Sequence, residues 1–396
     1  MMVPKSFRVW LISGWIAGGF LAPAALSAQE TGPSPNIAGI HLNKKGFSSS
    51  RKCGQCHREL FDAWKRSLHA DASGNAVFRA AYLQVYFEKG ERARKACLGC
   101  HAPVAYYNND PKLTQSISRE GVSCDFCHSI AEVLPGTPEG PQFRFEFGGV
   151  KQGPLKDSKS PVHQTRFNEL YRQSLFCKGC HEQISPSGIP MIATFSEWEQ
   201  SPYPDKGITC QKCHMEPIAG KTVAESVQPT PRTKISNHDI AAGHSLTKRR
   251  QALEIKIAAI ETYKNRITVT VDLTNTGAGH QMPTGLPVKK IILEVKVQSE
   301  TGKDRQIQQK VYQKVVADSK GKVVTKLVDL MLGKGATVVS DNRIAPLETR
   351  RESFTFFISK PDGQTVSATA YYSYTPEILQ PAPIHIPLSE VQRRVR

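Results

Sequence analysis

Residues 53–57 read Cys-Gly-Gln-Cys-His, and the same frame, Cys-x-x-Cys-His, returns at Cys97-Leu-Gly-Cys100-His101, Cys124-Asp-Phe-Cys127-His128, Cys177-Lys-Gly-Cys180-His181 and Cys210-Gln-Lys-Cys213-His214. These motifs consume all ten cysteines of the chain. A disulfide scaffold is the ordinary reading of so many cysteines in an oxidising compartment. It explains neither the constant spacing nor the His behind every pair. A structural zinc shell closes with four ligands and does not require that His either. The frame is the attachment signature of c-type haem. Its two thiols add across the porphyrin vinyl groups, and its His is brought onto the iron. The sequence therefore predicts five covalently bound c-type haems, attached at Cys53, Cys56, Cys97, Cys100, Cys124, Cys127, Cys177, Cys180, Cys210 and Cys213. The matching iron ligands are His57, His101, His128, His181 and His214.

The second axial position separates a carrier from a catalyst, because an iron with two strong protein ligands has no site left for substrate. Of twelve His, seven lie outside the motifs: His41, His69, His163, His238, His244, His280 and His385. That is enough to close every iron. His69 ends a segment, Glu59–His69, that reads as an amphipathic helix. His163 precedes a helical stretch placed at Thr165–Phe176, leading to the fourth motif. His238 and His244 follow the last motif, and His280 sits in the Gly/Pro loop Ala278-Gly-His-Gln-Met-Pro-Thr-Gly285. These five are the expected distal ligands. His41 and His385 fall in Pro-rich flanks and are not.

Lys5 and Arg8, the apolar run Val9–Phe20 and the small residues up to Ala28 have the layout of a secretory signal peptide. Cleavage at Ser27 or Ala28 delivers the chain to the periplasm or the cell surface. Lys and Arg number 52 against 35 Asp and Glu, a net charge of +17. Such a balance raises the question of nucleic acid, but haem propionates answer it. Five ferric haems bring the processed protein to about +10, and five ferrous ones to about +5. No nucleic-acid partner is expected. The residual positive field suits acidic or membrane-bound redox partners.

Texture along the chain changes near residue 250. Residues 1–28 form the leader, 29–50 a flexible lead-in and 51–245 a haem-bearing domain of short helices, with Val77–Ala96 a further helix. The 130s to 160s, rich in Gly, Pro and Lys, read as a loop. Residues 246–396 alternate polar and apolar at Leu253–Ile257, Arg266–Leu273, Ile291–Val297, Ser353–Ile358 and Val366–Tyr374, the pattern of an antiparallel sandwich. The fold class is α+β: a mainly helical or irregular pentahaem domain, then a β-sandwich-like domain. The latter reads as a cover for the haems, with docking or self-association as its other role.

Several stretches resemble the multihaem c-type cytochromes related to the tetrahaem carrier of nitrifying bacteria and to hydroxylamine oxidoreductase. They are Cys53–His57 with Trp64 and Ser67-Leu-His69, Glu120-Gly-Val-Ser-Cys124-Asp-Phe-Cys127-His128, Cys210–Pro217, His238–His244 and Gly279–Gly285. The resemblance implies closely stacked haems, distal ligation by His69, His163 and His280, and electron transfer as the role. The chain departs from the carrier in having five motifs, and from pentahaem nitrite reductase in lacking Cys-x-x-Cys-Lys. Electron transfer between redox partners is the favoured function. The alternative is a reductase or oxidase of a small nitrogen or sulfur species at one open haem.

Overall fold

Each motif occupies about one turn of helix, which places the two cysteines of Cys-x-x-Cys on one side. The structure, a computed structural model, describes residues 40–395 apart from 138–139, 228–231, 244, 301, 303–304 and 378. The expected leader, most of the lead-in and His244 lie outside the described residues. Motif turns run over Ser50–Gly54, Gly99–His101, Cys124–His128 and Cys210–His214. The Ser49 and Ser123 side chains cap two of them, accepting from Arg51 N and Phe126 N. Helix α1 (Arg58–Lys65) buries Ala63 and Trp64. Helix α2 (Ala76–Lys89) is capped by Asn75 and buries Tyr82 and Val85. It was expected to reach Ala96 but stops at Gly90, whose φ of +54° leaves the helical region. A π turn, Arg94–Leu98, then delivers Cys97.

Two expectations for this region fail. The stretch read as a loop pairs strand β1 (Ile130–Thr137) with β2 (Gly140–Phe145) in an antiparallel hairpin. Its Phe143 and Phe145 pack with Phe126, Phe47 and Tyr107 at ring separations of 4.8–5.6 Å. The burial of those rings outweighs the turn-forming residues that mask the hairpin in sequence. The helix expected at Thr165–Phe176 is instead a short strand, Gln164–Phe167, a 3-10 turn, Glu169–Arg172, and helix α3 (Leu175–His181). Asn168 makes that break: its Oδ1 accepts from Leu170 N at 3.0 Å and its Nδ2 donates to Ala131 O at 3.0 Å. Helix α4 (Thr194–Glu199) follows the fourth motif.

The strand-rich part begins with β3 (Leu253–Tyr263), β4 (Arg266–Asn275), β5 (Lys290–Gln298) and β6 (Arg305–Tyr312). It ends with β7 (Thr349–Phe357), β8 (Thr365–Tyr374) and β9 (Ile384–Arg394). One sheet has the order β7-β4-β3 and the other β6-β5-β8-β9, with every pair antiparallel. Ile267, Val269, Val271 and Leu273 of β4 and Leu293, Val295 and Val297 of β5 are fully buried, as period-two alternation requires. At one seam Gln306 and Gln308 of β6 donate side-chain N–H groups to the carbonyls of Phe357 and Thr355 on β7, both at 2.5 Å. Residues 35–396 form a single unit, in which Lys314 Nζ reaches Pro190 O at 2.7 Å.

Near the second motif, buried Asp110 accepts from Thr114 N at 3.0 Å, Thr114 Oγ1 at 2.9 Å and Gln115 N at 2.9 Å. Burial raises its pKa, but the bonds from Gln115 and Thr114 win and hold it at about 2, below the ordinary 3.8. A carboxyl depressed on folding stabilises above its unfolded pKa, and that contribution fades as pH falls toward the folded one. Asp110→Asn is therefore expected to cost about 2 kcal/mol at neutral pH. In urea unfolding, its deficit against the parent should shrink between pH 4 and pH 2.

Candidate haem-binding centre

The motif cysteines meet across the chain as well as within each motif. Cys53 is in hydrogen-bonding contact with Cys124, Cys177 with Cys210, and Cys180 with Cys100. Cys127 is near enough for its charge to bear on both Cys177 and Cys180. The first motif thus adjoins the third, the third the fourth, and the fourth both the second and the fifth. All ten thiols are unbridged.

A neutral imidazole has one N–H, and a carbonyl oxygen can only accept, so a ring tied to a carbonyl through Nδ1 presents a bare Nε2. His57 donates in this way to Thr222 O at 2.5 Å, His128 to Gln152 O at 2.6 Å, His214 to Ala241 O at 2.8 Å and His101 to Ala72 O at 3.3 Å. Among the expected distal residues, His238 donates to Ser236 O at 2.8 Å, and His163 and His280 to Gln164 O and Gln281 O at 3.0 Å. These rings have the tautomer a metal at Nε2 needs. Enclosure by protein pushes His69 and His128 down to about 4 and His181 to about 3. It lowers His101, His163, His238 and His280 as well. Neutral imidazole is the ligating form.

Three pairs of rings then face one another. Centroids lie 6.3 Å apart for His57 and His163, 6.2 Å for His69 and His181, and 6.4 Å for His128 and His238. A metal bound to two opposed imidazoles at about 2 Å from each nitrogen sets their centroids about 6 Å apart. Direct stacking is closer, as where Phe78 lies on His101 at 4.3 Å. The spacing, the tautomers and the thiols fit haem at these motifs. His280 is half-buried and lies near enough to His181 and His214 for the charges to interact. Among the described residues no imidazole faces His101 or His214 at the 6 Å spacing. His41 is exposed, and so is His385, whose ring lies 6.0 Å from that of Tyr371.

The residues that hold this arrangement lie in stretches quoted above, but their roles carry no mark in sequence. Glu120 accepts from Ser50 N at 2.7 Å, bracing the first motif from just before the third. Two residues on, Val122 N donates to His69 O and Val122 O accepts from Trp64 Nε1, both at 2.8 Å. Arg119, next to Glu120, donates to the carbonyls of Leu113 and Thr114, both at 2.8 Å. Tyr106 lies under the Arg94 guanidinium.

Such a donor set defines a c-type cytochrome with more than one haem. A family described as cytochrome c554 and c-prime matches residues 52–129. The chain is similar to cytochrome c-554 of Nitrosomonas europaea, with 27% identity over 145 residues, 34% of this chain and 57% of that relative. It therefore spans little more than half the length of that protein. A penta-heme cytochrome c552 from Thermochromatium tepidum has the same fold, with a TM-score of 0.68 at 20% identity over 88% of this chain and 99% of that one. The chain is a multihaem c-type cytochrome.

Gly121, between Glu120 and Val122, has no room for a side chain. Its φ is +61°, and an added Cβ would sit 2.2 Å from His69 O and 2.7 Å from Ala70 O. Gly121→Ala is expected to cost about 3 kcal/mol and to disturb the low-spin spectrum of one haem by displacing His69. Parental melting with an unchanged spectrum would contradict this account of the glycine.

Proposed function

We propose that the chain is an exported electron carrier with five haems, most of them held by two histidines. The observation that carries this reading is the three imidazole pairs at 6.2–6.4 Å. On this reading His163 serves the first motif, His238 the third and His69 the fourth. His280 lies near both His181 and His214; with His181 read as paired to His69, we read His280 as serving the fifth. Haem, when bound, supplies one-electron exchange at its iron. Backbone carbonyls orient seven of the imidazoles through Nδ1 and thereby make them stronger donors, which favours the ferric state. The adjacency of the motifs supports passage of electrons from haem to haem.

Export is part of the proposal. It rests on the leader-like residues 1–28, and no described helix is long and apolar enough to cross a membrane. The processed chain keeps 50 Lys and Arg against 35 acids, counting out Lys5 and Arg8, a field suited to acidic or membrane-bound redox proteins. Residues 51–245 would serve as the haem-bearing domain and 246–396 as its cover.

A second reading draws on His101. Phe78 lies against its ring, no described imidazole faces it, and the charge of Lys289 bears on it. An open second haem beside a cation would suit reduction or oxidation of a small nitrogen or sulfur species.

Electron paramagnetic resonance of the oxidised holoprotein, with haem count and amino terminus fixed by intact mass, tests both readings. The carrier predicts five haems, a chain beginning near residue 28 or 29, and low-spin ferric signals alone. His69→Ala should convert one haem to high spin and leave the others. A high-spin haem in the parent that shifts on adding nitrite or hydroxylamine would replace the carrier with the enzyme.

A further inference from the structure

The loop that carries His280 is anchored on two sides. From the β part, buried Asn275 donates through Nδ2 to His280 O at 2.9 Å and to Ile344 O at 3.2 Å, and accepts from Ala278 N at 3.1 Å. Met282 and Ile344 exchange backbone hydrogen bonds at 2.9 and 3.0 Å. From the motif-bearing part, α4 supplies Glu197, which accepts from Thr284 Oγ1 at 2.6 Å, and Thr194, whose hydroxyl lies 2.8 Å from that of Thr284. One side chain joins both anchors to the loop. Arg343 donates through Nη1 to Glu197 Oε1 at 2.5 Å and to Pro283 O at 3.2 Å. Its Nε and Nη2 grip the Asp341 carboxylate, both at 2.8 Å.

The Arg343 and Glu197 side chains are only 6% and 7% exposed. A buried ion pair recovers little of the cost of removing its charges from water, and apolar residues of similar size often stabilise at least as well. What the pair does supply is direction. A planar guanidinium has fixed donor vectors, and here they reach a carboxylate in each part of the chain and a carbonyl three residues from His280. Glu197 is also close enough for its charge to bear on the His280 ring.

We infer that Arg343, with Glu197, is a positioning residue for His280, setting the orientation in which that imidazole meets its iron. The inference rests on the reading of His280 as an axial ligand, and the experiment separates the two. Holoproteins carrying His280→Ala, Arg343→Leu, Arg343→Lys, Thr284→Val and the double change Arg343→Leu with Glu197→Leu would be compared by electron paramagnetic resonance and thermal melting. The double variant removes the two most deeply buried charges together and leaves only the more exposed Asp341 without its arginine, and Thr284→Val cuts the loop from Glu197 without touching a charge. Both therefore remain informative if Arg343→Leu alone does not fold.

The expected result is that His280→Ala turns one haem high-spin. The double variant and Thr284→Val should shift the g values of that same haem while the other signals hold. Arg343→Lys, which keeps the charge but not the fork, should fall between the parent and Arg343→Leu. If His280→Ala leaves every signal unchanged, the ligand reading fails. If it alters one haem while the double variant and Thr284→Val melt like the parent with its spectrum, the ligand stands. In that case Arg343 only staples the two parts together, and the inference is overturned.

Discussion

The bond from an imidazole Nδ1–H to a backbone carbonyl is the constraint on which the motif-bearing part depends. Each such bond on a motif histidine brings a second segment to the motif. His57 draws in Thr222, far along the chain, and His128 draws in Gln152. His101 ties back to Ala72, and His214 reaches forward to Ala241. The same bond sets which nitrogen is bare, so chain path and ligand chemistry are fixed by one contact. Short helices and irregular connections suffice because the segments have to arrive at points, not to pack along lengths. The facing pairs extend this logic, joining His57 to His163 and His69 to His181 across more than a hundred residues.

The apolar packing is correspondingly uneven. The β part has one large core running through both sheets. The motif-bearing part has small clusters, such as Phe47, Val104, Phe126, Ile130 and Phe143, and Tyr82 with Leu98, Ala102 and Ala105. Small clusters alone bury little surface. The porphyrins that the motifs attach would supply the missing apolar area, so cofactor and core are one requirement there.

How much of this could be read in advance follows from the range of each interaction. The motifs were legible because thioether and imidazole chemistry fixes a five-residue spacing, and central strands such as Arg266–Asn275 were legible through alternation. Two edge strands, Arg305–Tyr312 and Ile384–Arg394, were not. Arg305–Tyr312 exposes most of its residues, so its alternation has no apolar half to reveal it. The hairpin at Ile130–Phe145 was hidden by its own turn residues, and the break at Asn168 by a run otherwise fit for a helix. Which histidine faces which was beyond reach, since those pairs close over long loops. Glu197 and Arg343 carry no mark in sequence at all; their meaning lies in a contact between residues 146 positions apart.

The glutamines of the seam have one more consequence. A primary amide has the donor and acceptor of a peptide group, and Gln306 uses both on Phe357, giving N–H to its carbonyl and accepting from its N at 3.4 Å. Two side chains thus occupy hydrogen-bonding sites that another polypeptide would otherwise seek. At the opposite seam β3 and β9 pack against each other. Both flanks of the two-sheet stack are thereby guarded against strand-by-strand polymerisation.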